Sequence, residues 1–252
     1  MSGHSHWSSI KHKKGKEDAR RGKIFSKLIK EITLAAKAGG GDPAGNPRLR
    51  TAFAAAKQAN MPGDNVKKAV MRGTGEMPGV IYEETNYEGY GPGGVAVIVQ
   101  VTTDNKNRTT SDIRKSFSKH GGNLGEIGCV GWMFKSKGTI TLKKSSISED
   151  ELLDLALSAG AEDINSDDSE FFEIVSDTSK FEDVKKALEE KKLELEQSEV
   201  GLVPSSYVKL EGKQAEQMLA LMNELEDHED VNNVFANFDI DDELIDRIAA
   251  SS

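Results

Sequence analysis

The stretch TITLKKSSISEDELLDLALSAGAEDI, residues 139–164, contributes most to the interpretation of the fold. Its opening residues, Thr139 to Leu142, predict a β-strand. Ser148 is followed by Glu151, and this capping-box pattern predicts the start of a helix that runs to Ala159. The stretch therefore passes from strand to helix, and the residues after it return to strand patterns.

The residues that follow repeat the same alternation. Two short strands come next, then a helix from Ser179 to Lys191 with a second capping box, Ser179 with Glu182, and a final strand. The order β-α-β-β-α-β over residues 138–203 is typical of a ferredoxin-like unit.

The segments on either side of this unit predict a second α+β domain. Its expected elements are strands from about Ile81 and Tyr82, a buried strand at Val95 to Val101, a helix from Thr109 to His120, a strand at Val130 to Phe134, a strand to Leu210, an amphipathic helix, and a strand at Val231 to Phe238. We expect residues 77–137 and 204–240 to form one split domain, with 138–203 inserted into it and 241–252 as a C-terminal tail.

The N-terminal part predicts helices. An apolar stripe begins near Lys23 and ends at the glycines after residue 38, Asn46 before Pro47 predicts the start of a second helix, and Asp64 predicts the cap of a third. Residues 22–76 are therefore expected to form a small helical domain, preceded by a flexible basic arm at 1–21. The expected fold class is multidomain, α and α+β, with two ferredoxin-like domains, one inserted in the other.

The net charge of −9 hides two regions of opposite sign. Residues 1–80 carry 16 Lys and Arg against 6 Asp and Glu, or +10, whereas residues 81–252 carry 17 against 36, or −19. Basic side chains neutralise phosphates and release counterions, so the first region favours nucleic-acid binding over a merely solvated surface. The acidic region would be repelled by phosphate and is a possible site for a protein partner. The basic run consists of Lys11, Lys13, Lys14, Lys16, Arg20, Arg21, Lys23, Lys27 and Lys30, with His12 among them.

Trp7 lies within the basic arm. One alternative is that its ring stacks on an unpaired base, which would favour binding of RNA or single strands over duplex DNA. The other is that the ring packs on the helical domain. The sequence leaves both alternatives open.

No pattern in the chain predicts catalysis or a cofactor. GYGPGG, residues 89–94, has dinucleotide-binding glycine spacing but is followed by a strand pattern, so we interpret it as a turn. His4, His6 and His12 lack the spacing of a zinc site, and a Cu(II) site at a free Ser2-Gly3-His4 terminus is treated as fortuitous. Cys129, the single cysteine, is expected to be buried and structural. We therefore predict a non-enzyme without metal or cofactor.

No apolar run approaches the roughly 18 residues of a membrane span, and no secretory signal opens the chain. The expected location is the cytoplasm, with no membrane partner.

Several strings resemble the YebC family in order along nearly the whole chain. They are GHSHW (3–7), DARRGKIFSKL (18–28), GGGDPAGNPRLR (39–50), YEGYGPGG (87–94), DNKNRT (104–109), FSKHGGNLG (117–125), GAED (160–163) and LEDHEDVNNVF (225–235). The resemblance implies a helical N-terminal domain and two α+β domains. Arg20, Arg21, Lys23, Arg48, Arg50 and Arg108 match the basic strings of the family, and we infer from their charge that they bind phosphate. One position differs from the family's opening string, where a lysine is expected: this chain has His6, which makes the arm slightly less basic at neutral pH.

Two functions follow from the resemblance. The family is described as transcriptional regulators that bind DNA, which fits the basic region. A mitochondrial relative activates translation, and bacterial relatives are linked to ribosomes stalled in proline-rich stretches. The alternative is therefore a ribosome-associated translation factor that inserts its arm into ribosomal RNA.

Overall fold

The computed structural model describes residues 17–166, 168, 170–241, 244, 245 and 247, with side chains from residue 22 onward. Its N-terminal helices are α1 (Glu17–Gly39), α2 (Pro47–Gln58) and α3 (Gly63–Gly73). They enclose a small apolar core formed by Ile32, Ala35, Ala36, Leu49, Ala52, Ala56, Met61 and Ala69.

Two start signals in this region have different outcomes. Asn46 caps α2 as predicted, because its side chain accepts a hydrogen bond from the Leu49 amide at 3.1 Å. The predicted Asp64 cap is wrong: Pro62 occupies the N-cap position of α3, and Asp64 lies in the first turn, where its charge still favours the helix dipole. Because α1 begins at Glu17, the expectation of a non-helical arm is also wrong for residues 17–21.

The rest of the chain alternates strands and helices. In chain order these elements are β1 (Glu83–Tyr90), β2 (Ala96–Thr103), α4 (Lys106–Lys119), β3 (Asn123–Leu124), β4 (Phe134–Lys143), α5 (Glu149–Ala159), β5 (Ala161–Asn165), β6 (Phe171–Ser176), α6 (Phe181–Glu190), β7 (Leu195–Pro204), β8 (Val208–Lys209), α7 (Gly212–Glu226), β9 (Val231–Ala236) and β10 (Phe238–Asp239). The fold is thus mixed, with a helical N-terminal region followed by sheet-containing units.

The second unit is built on an antiparallel sheet with strand order β3-β1-β2-β9. Its β1 and β2 join through a short 3₁₀ turn at Pro92–Gly94, where Gly93 has a φ of +70°, so the predicted turn in GYGPGG is confirmed. Helices α4 and α7 pack on this sheet; their core side chains include Ile113 and Phe117 on α4 and Met218 on α7. The chain leaves the sheet after β3 and returns to it at β9.

Two strand predictions near this unit are wrong. Ile81 precedes β1 and is 71% exposed, because the strand starts only at Glu83. Val130–Phe134 is not a strand of this sheet: residues Gly131–Met133 form a 3₁₀ turn, and Phe134 begins β4 in the third unit. The domain boundary expected between residues 137 and 138 therefore falls inside a continuous strand.

The third unit has strand order β5-β6-β4-β7, also antiparallel. Helices α5 and α6 cover one face of the sheet around a core that includes Ile140, Leu152 and Val184. Ser148 caps α5 as predicted by accepting from the Glu151 amide.

The capping box predicted at Ser179 is absent. The Ser179 hydroxyl donates to the Asp177 carboxylate at 2.8 Å, Lys180 occupies the N-cap position, and α6 begins at Phe181. A local hydrogen bond outside the helix has therefore replaced the expected cap.

Within the described chain, no helix combines the length and apolar character required to cross a bilayer.

Candidate nucleic-acid interface

Helix α1 presents a row of lysines to the second unit. Lys23, Lys27 and Lys30 follow one another at spacings of four and three residues, so they share one face of the helix. The Lys30 ammonium lies 2.5 Å from Oδ1 of Asp230 and also donates to the Glu229 carbonyl at 3.0 Å. Lys30 and Asp230 are both buried, so this part of the predicted phosphate-binding run is an internal ion pair.

Asp230 accepts several further hydrogen bonds. Thr109 Oγ1 donates to its Oδ2 at 2.7 Å, Arg108 Nη2 at 3.1 Å and Thr103 Oγ1 at 3.3 Å. Burial alone would raise the pKa of this carboxyl, but the hydrogen bonds from Lys30, Thr109 and Arg108 outweigh it and lower the pKa of Asp230 to about 2. The carboxylate is therefore charged at neutral pH. We refer to Lys30, Thr103, Arg108, Thr109 and Asp230 as the Asp230 cluster.

The other two lysines of the row meet the end of α7. Lys27 Nζ donates to the Glu226 carbonyl at 2.9 Å, and Lys23 Nζ lies 3.8 Å from Oδ2 of Asp227. The C-terminus of a helix carries partial negative charge, so cations are stabilised there. This face of α1 is consequently the docking face between the helical domain and the second unit.

Arg108 belongs to the same interface. Its guanidinium hydrogen-bonds Asp230 and also Asp104, the latter at 2.7 Å, and these bonds raise the pKa of Arg108 above its usual value. The side chain is 44% exposed, yet its hydrogen-bonding capacity toward a phosphate is already partly used.

Arg48 joins three elements. Its Nε and Nη2 donate to the two oxygens of Glu31 on α1 at 2.7 and 2.8 Å, and Nη2 also donates to Glu84 on β1 at 2.6 Å. Hydrogen bonds with Glu31 first and Glu84 second hold the pKa of Arg48 well above its usual value. This predicted binding residue is thus neutralised by two carboxylates of the chain itself.

The remaining predicted residues divide into two groups. Arg50 is exposed on α2, and its guanidinium reaches the Pro43 carbonyl at 3.3 Å. Arg20 and Arg21 lie in α1, but their side chains fall outside the described part. Trp7, Lys11, Lys13, Lys14 and Lys16, together with the histidines of the arm, lie outside the described residues.

Sequence reasoning omitted a group of exposed cations on α2 and α3. Lys57 lies on α2, and Lys67, Lys68 and Arg72 lie on α3. None of the four forms a salt bridge with a carboxylate in the part of the chain that the structure describes. The α3 sequence contained the signal, since Val66 and Val70 mark its inner face and the lysines fall between them. We call Lys67, Lys68 and Arg72 the α3 cations.

An apolar groove of about 670 Å³ lies beside these cations. It runs between α2 and α3, and its lining includes Phe53, Met61, Val66, Val70, Met71, Lys57 and Lys67. Apolar and aromatic surface next to ammonium groups suits an unpaired base with its phosphate.

Cys129 shows no activation for nucleophilic chemistry. It is partly rather than fully buried, which corrects the expected burial, and desolvation first and the charge of Glu88 second raise the pKa of its thiol, so the thiol stays protonated. Nearby Trp132 is 73% exposed, a feature that the strand prediction for this segment had missed. Among the described residues, no three His, Cys, Asp or Glu side chains gather in a way that could hold a metal ion.

The comparisons with known proteins cover almost the whole chain. The family described as "TACO1/YebC protein N-terminal domain" matches residues 5–76, and "TACO1/YebC second and third domain" matches residues 82–238. A protein of Geotalea uraniireducens named "Probable transcriptional regulatory protein" is 58% identical over 98% of this chain and 100% of its own length. A protein of Syntrophobacter fumaroxidans with the same name is 56% identical over 99% and 100%.

A solved structure is also similar. The crystal structure of a conserved hypothetical protein from Aquifex aeolicus superimposes with a TM-score of 0.81 at 48% identity and covers 94% of this chain and 97% of that one. Sequence and structure agree over both matched regions, and the chain belongs to the TACO1/YebC family.

Proposed function

We propose that this protein is a cytoplasmic, non-enzymatic transcriptional regulator that binds DNA through its basic N-terminal region. The observation that carries the proposal is the set of α3 cations, exposed and without described carboxylate partners in a chain whose net charge is −9. The described basic side chains that the sequence predicted to bind phosphate, in contrast, meet carboxylates or carbonyls within the chain. The α3 cations, with Arg50, Lys57 and the basic arm, supply the phosphate contacts.

The apolar groove supports a second candidate, an RNA-binding translation factor associated with the ribosome. Duplex DNA hides its bases in the stack, whereas loops and bulges of RNA offer unpaired bases to apolar and aromatic surfaces. Phe53 and the methionines of the groove lie beside Lys57 and Lys67, which favours this alternative.

The two acidic units have a separate role in the proposal. We assign both to the ferredoxin-like type, with the third inserted into the second. The strand order β5-β6-β4-β7 supports this type for the third unit, and the return of the chain to the second unit's sheet at β9 supports the insertion. Their negative charge turns them away from the nucleic acid and makes them the site for a protein partner.

The test is fluorescence anisotropy with a labelled DNA duplex and a labelled RNA hairpin, over a series of KCl concentrations. Lys67→Gln, Lys68→Gln and Arg72→Gln together are expected to weaken binding. On duplex DNA they should also make the negative slope of log K against log salt shallower by about 3. Arg20→Gln, Arg21→Gln and Lys23→Gln together test the N-terminal part of α1 in the same way.

The matched control is Lys185→Gln, Lys186→Gln and Lys192→Gln, which removes equal charge from the third unit. An equal loss with the control, or an unchanged slope with both N-terminal triples, would contradict the assignment. Tighter binding to the duplex supports the DNA proposal. Tighter binding to the hairpin, with co-sedimentation of the protein with ribosomes in a sucrose gradient, supports the translation candidate.

A further inference from the structure

The sheet of the third unit has one face that no described helix covers. Ile140 and Leu142 point to the helix side, so the alternating residues Thr139 and Thr141 point to the opposite side. Between this second face and β9 lies a cavity of about 370 Å³, with Phe235 of β9 in its wall. Its volume is within the range of small-molecule sites.

The lining of the cavity is acidic. Glu162, Asp163, Glu173 and Glu199 contribute to it, and no Lys, Arg or His among the described residues does. Lys137 neutralises Glu162 from outside the lining at 2.7 Å. Asp163, Glu173 and Glu199 supply the remaining negative charge of the described wall, so the cavity attracts positive charge.

A buried hydroxyl faces the same cavity. Thr141 is 5% exposed and lines the site, and its Oγ1 has no hydrogen-bond partner among the described residues. Its neighbour Thr139 differs, because its hydroxyl reaches the Glu199 carbonyl at 3.5 Å. An unsatisfied buried hydroxyl costs free energy, so a ligand that donates to Thr141 would be stabilised.

The carboxylates are spread out rather than gathered. Glu173 pairs with Thr141 across β6 and β4, and Glu199 pairs with Thr139 across β7 and β4, so the two lie on opposite sides of the central strand. Two interstrand spacings and an offset of two residues along β4 separate their Cα atoms by about 12 Å. No three described acidic groups form a metal site. The arrangement therefore fits a cation whose charges are spread along a chain, not a single metal ion.

The polarity also argues against an RNA platform. Sheet faces that bind RNA present stacking aromatics within a basic surface, whereas this face is acidic.

We propose that the cavity between the third unit's open sheet face and β9 binds a linear aliphatic polyamine. Ammonium groups would pair with Glu173 and Glu199, one ammonium would donate to Thr141, and the methylenes would lie along Val175 and Phe235. This site is independent of the nucleic-acid proposal.

The test is isothermal titration calorimetry of the full chain with spermidine at low ionic strength. The expected result is a saturable site with one spermidine per chain. Glu173→Gln with Glu199→Gln is expected to weaken binding at least about tenfold, since charge-assisted hydrogen bonds contribute roughly this much. The matched control, Glu182→Gln with Glu189→Gln on exposed positions of α6, is expected to change the affinity less than about twofold.

Thr141→Val separates binding from folding. It removes the hydroxyl but keeps the shape, so spermidine binding is expected to weaken severalfold while the midpoint of urea unfolding stays the same or rises. Absence of a saturable heat, equal binding of Mg²⁺ at the same site, or an equal loss in the α6 control would each overturn the proposal.

Discussion

Helices α1 and α3 belong to one small domain and both carry lysines on a face directed away from the core of that domain, but the two faces have different partners. The α1 row of Lys23, Lys27 and Lys30 ends on Asp227, the Glu226 carbonyl and Asp230. The α3 cations meet no described carboxylate. A cation in a basic segment can therefore serve either to join domains or to attract a polyanion, and its charge alone does not distinguish the two roles. The predictions below test this difference, from the largest expected effect on stability to the smallest.

Asp230→Ala is expected to have the largest effect. It leaves the buried ammonium of Lys30 without a counter-charge, which costs about 3–5 kcal/mol of unfolding free energy. Urea denaturation followed by circular dichroism measures the change. Asp227→Ala, which removes an exposed carboxylate 3.8 Å from the Lys23 ammonium, is the control and is expected to cost less than about 0.5 kcal/mol. Similar losses in the two variants would contradict the distinction between buried and exposed pairs.

Acid is expected to weaken the same cluster. The pKa of Asp230 is about 2 when folded and about 3.9 when unfolded, so the unfolded chain binds the proton first as pH falls. The stabilisation is present above pH 4 and is lost between roughly pH 4 and pH 2, with a magnitude on the order of 2 kcal/mol. The measurement is the unfolding free energy at several pH values.

Asp230→Asn is the reference for that titration, because it cannot titrate at this position. The unfolding free energy of Asp230→Asn should be lower than that of the original protein at every pH, but it should decline less steeply between roughly pH 4 and pH 2. Parallel pH profiles for the two proteins would show that Asp230 does not have the lowered pKa.

Arg48→Met is expected to have an intermediate effect, about 1 kcal/mol. The guanidinium binds Glu31 and Glu84 together, but it is 39% exposed, and solvent screens such pairs. Thermal unfolding measures the loss. Arg50→Met, on the same helix without a carboxylate partner among the described residues, serves as control and should remain within about 0.3 kcal/mol of the original.

The α3 cations are expected to contribute least to stability. Lys67→Gln, Lys68→Gln and Arg72→Gln together should change the unfolding free energy by less than about 0.5 kcal/mol, because their charges are exposed and have no carboxylate partner in the described chain. Urea denaturation checks this value beside the binding measurements. A large loss of stability would show that the α3 cations, like the lysines of α1, hold the fold together, and it would contradict the difference between the two helices.

Local signals located most helices and several strands. The Asn46 and Ser148 caps are where the sequence predicts them, because a side-chain oxygen placed before a helical segment satisfies its amides regardless of the surrounding fold. The local signals gave wrong predictions where a neighbouring residue or element competed for the same groups. Ser179 bonds to Asp177 instead of capping α6, and the apolar segment Val130–Phe134 is divided between a turn and a strand of another sheet.

The sequence by itself determined the order of helical and strand segments, the opposite charges of the two parts of the chain, and the family. These properties depend on neighbouring residues and on composition. Only the tertiary structure decided which cations remain available. Lys30 meets Asp230 at a separation of 200 residues, and Arg48 meets Glu84 on a different element. The electrostatic energy of a side chain depends on the charges within a few ångströms of it, and those charges are brought together by packing of the whole chain.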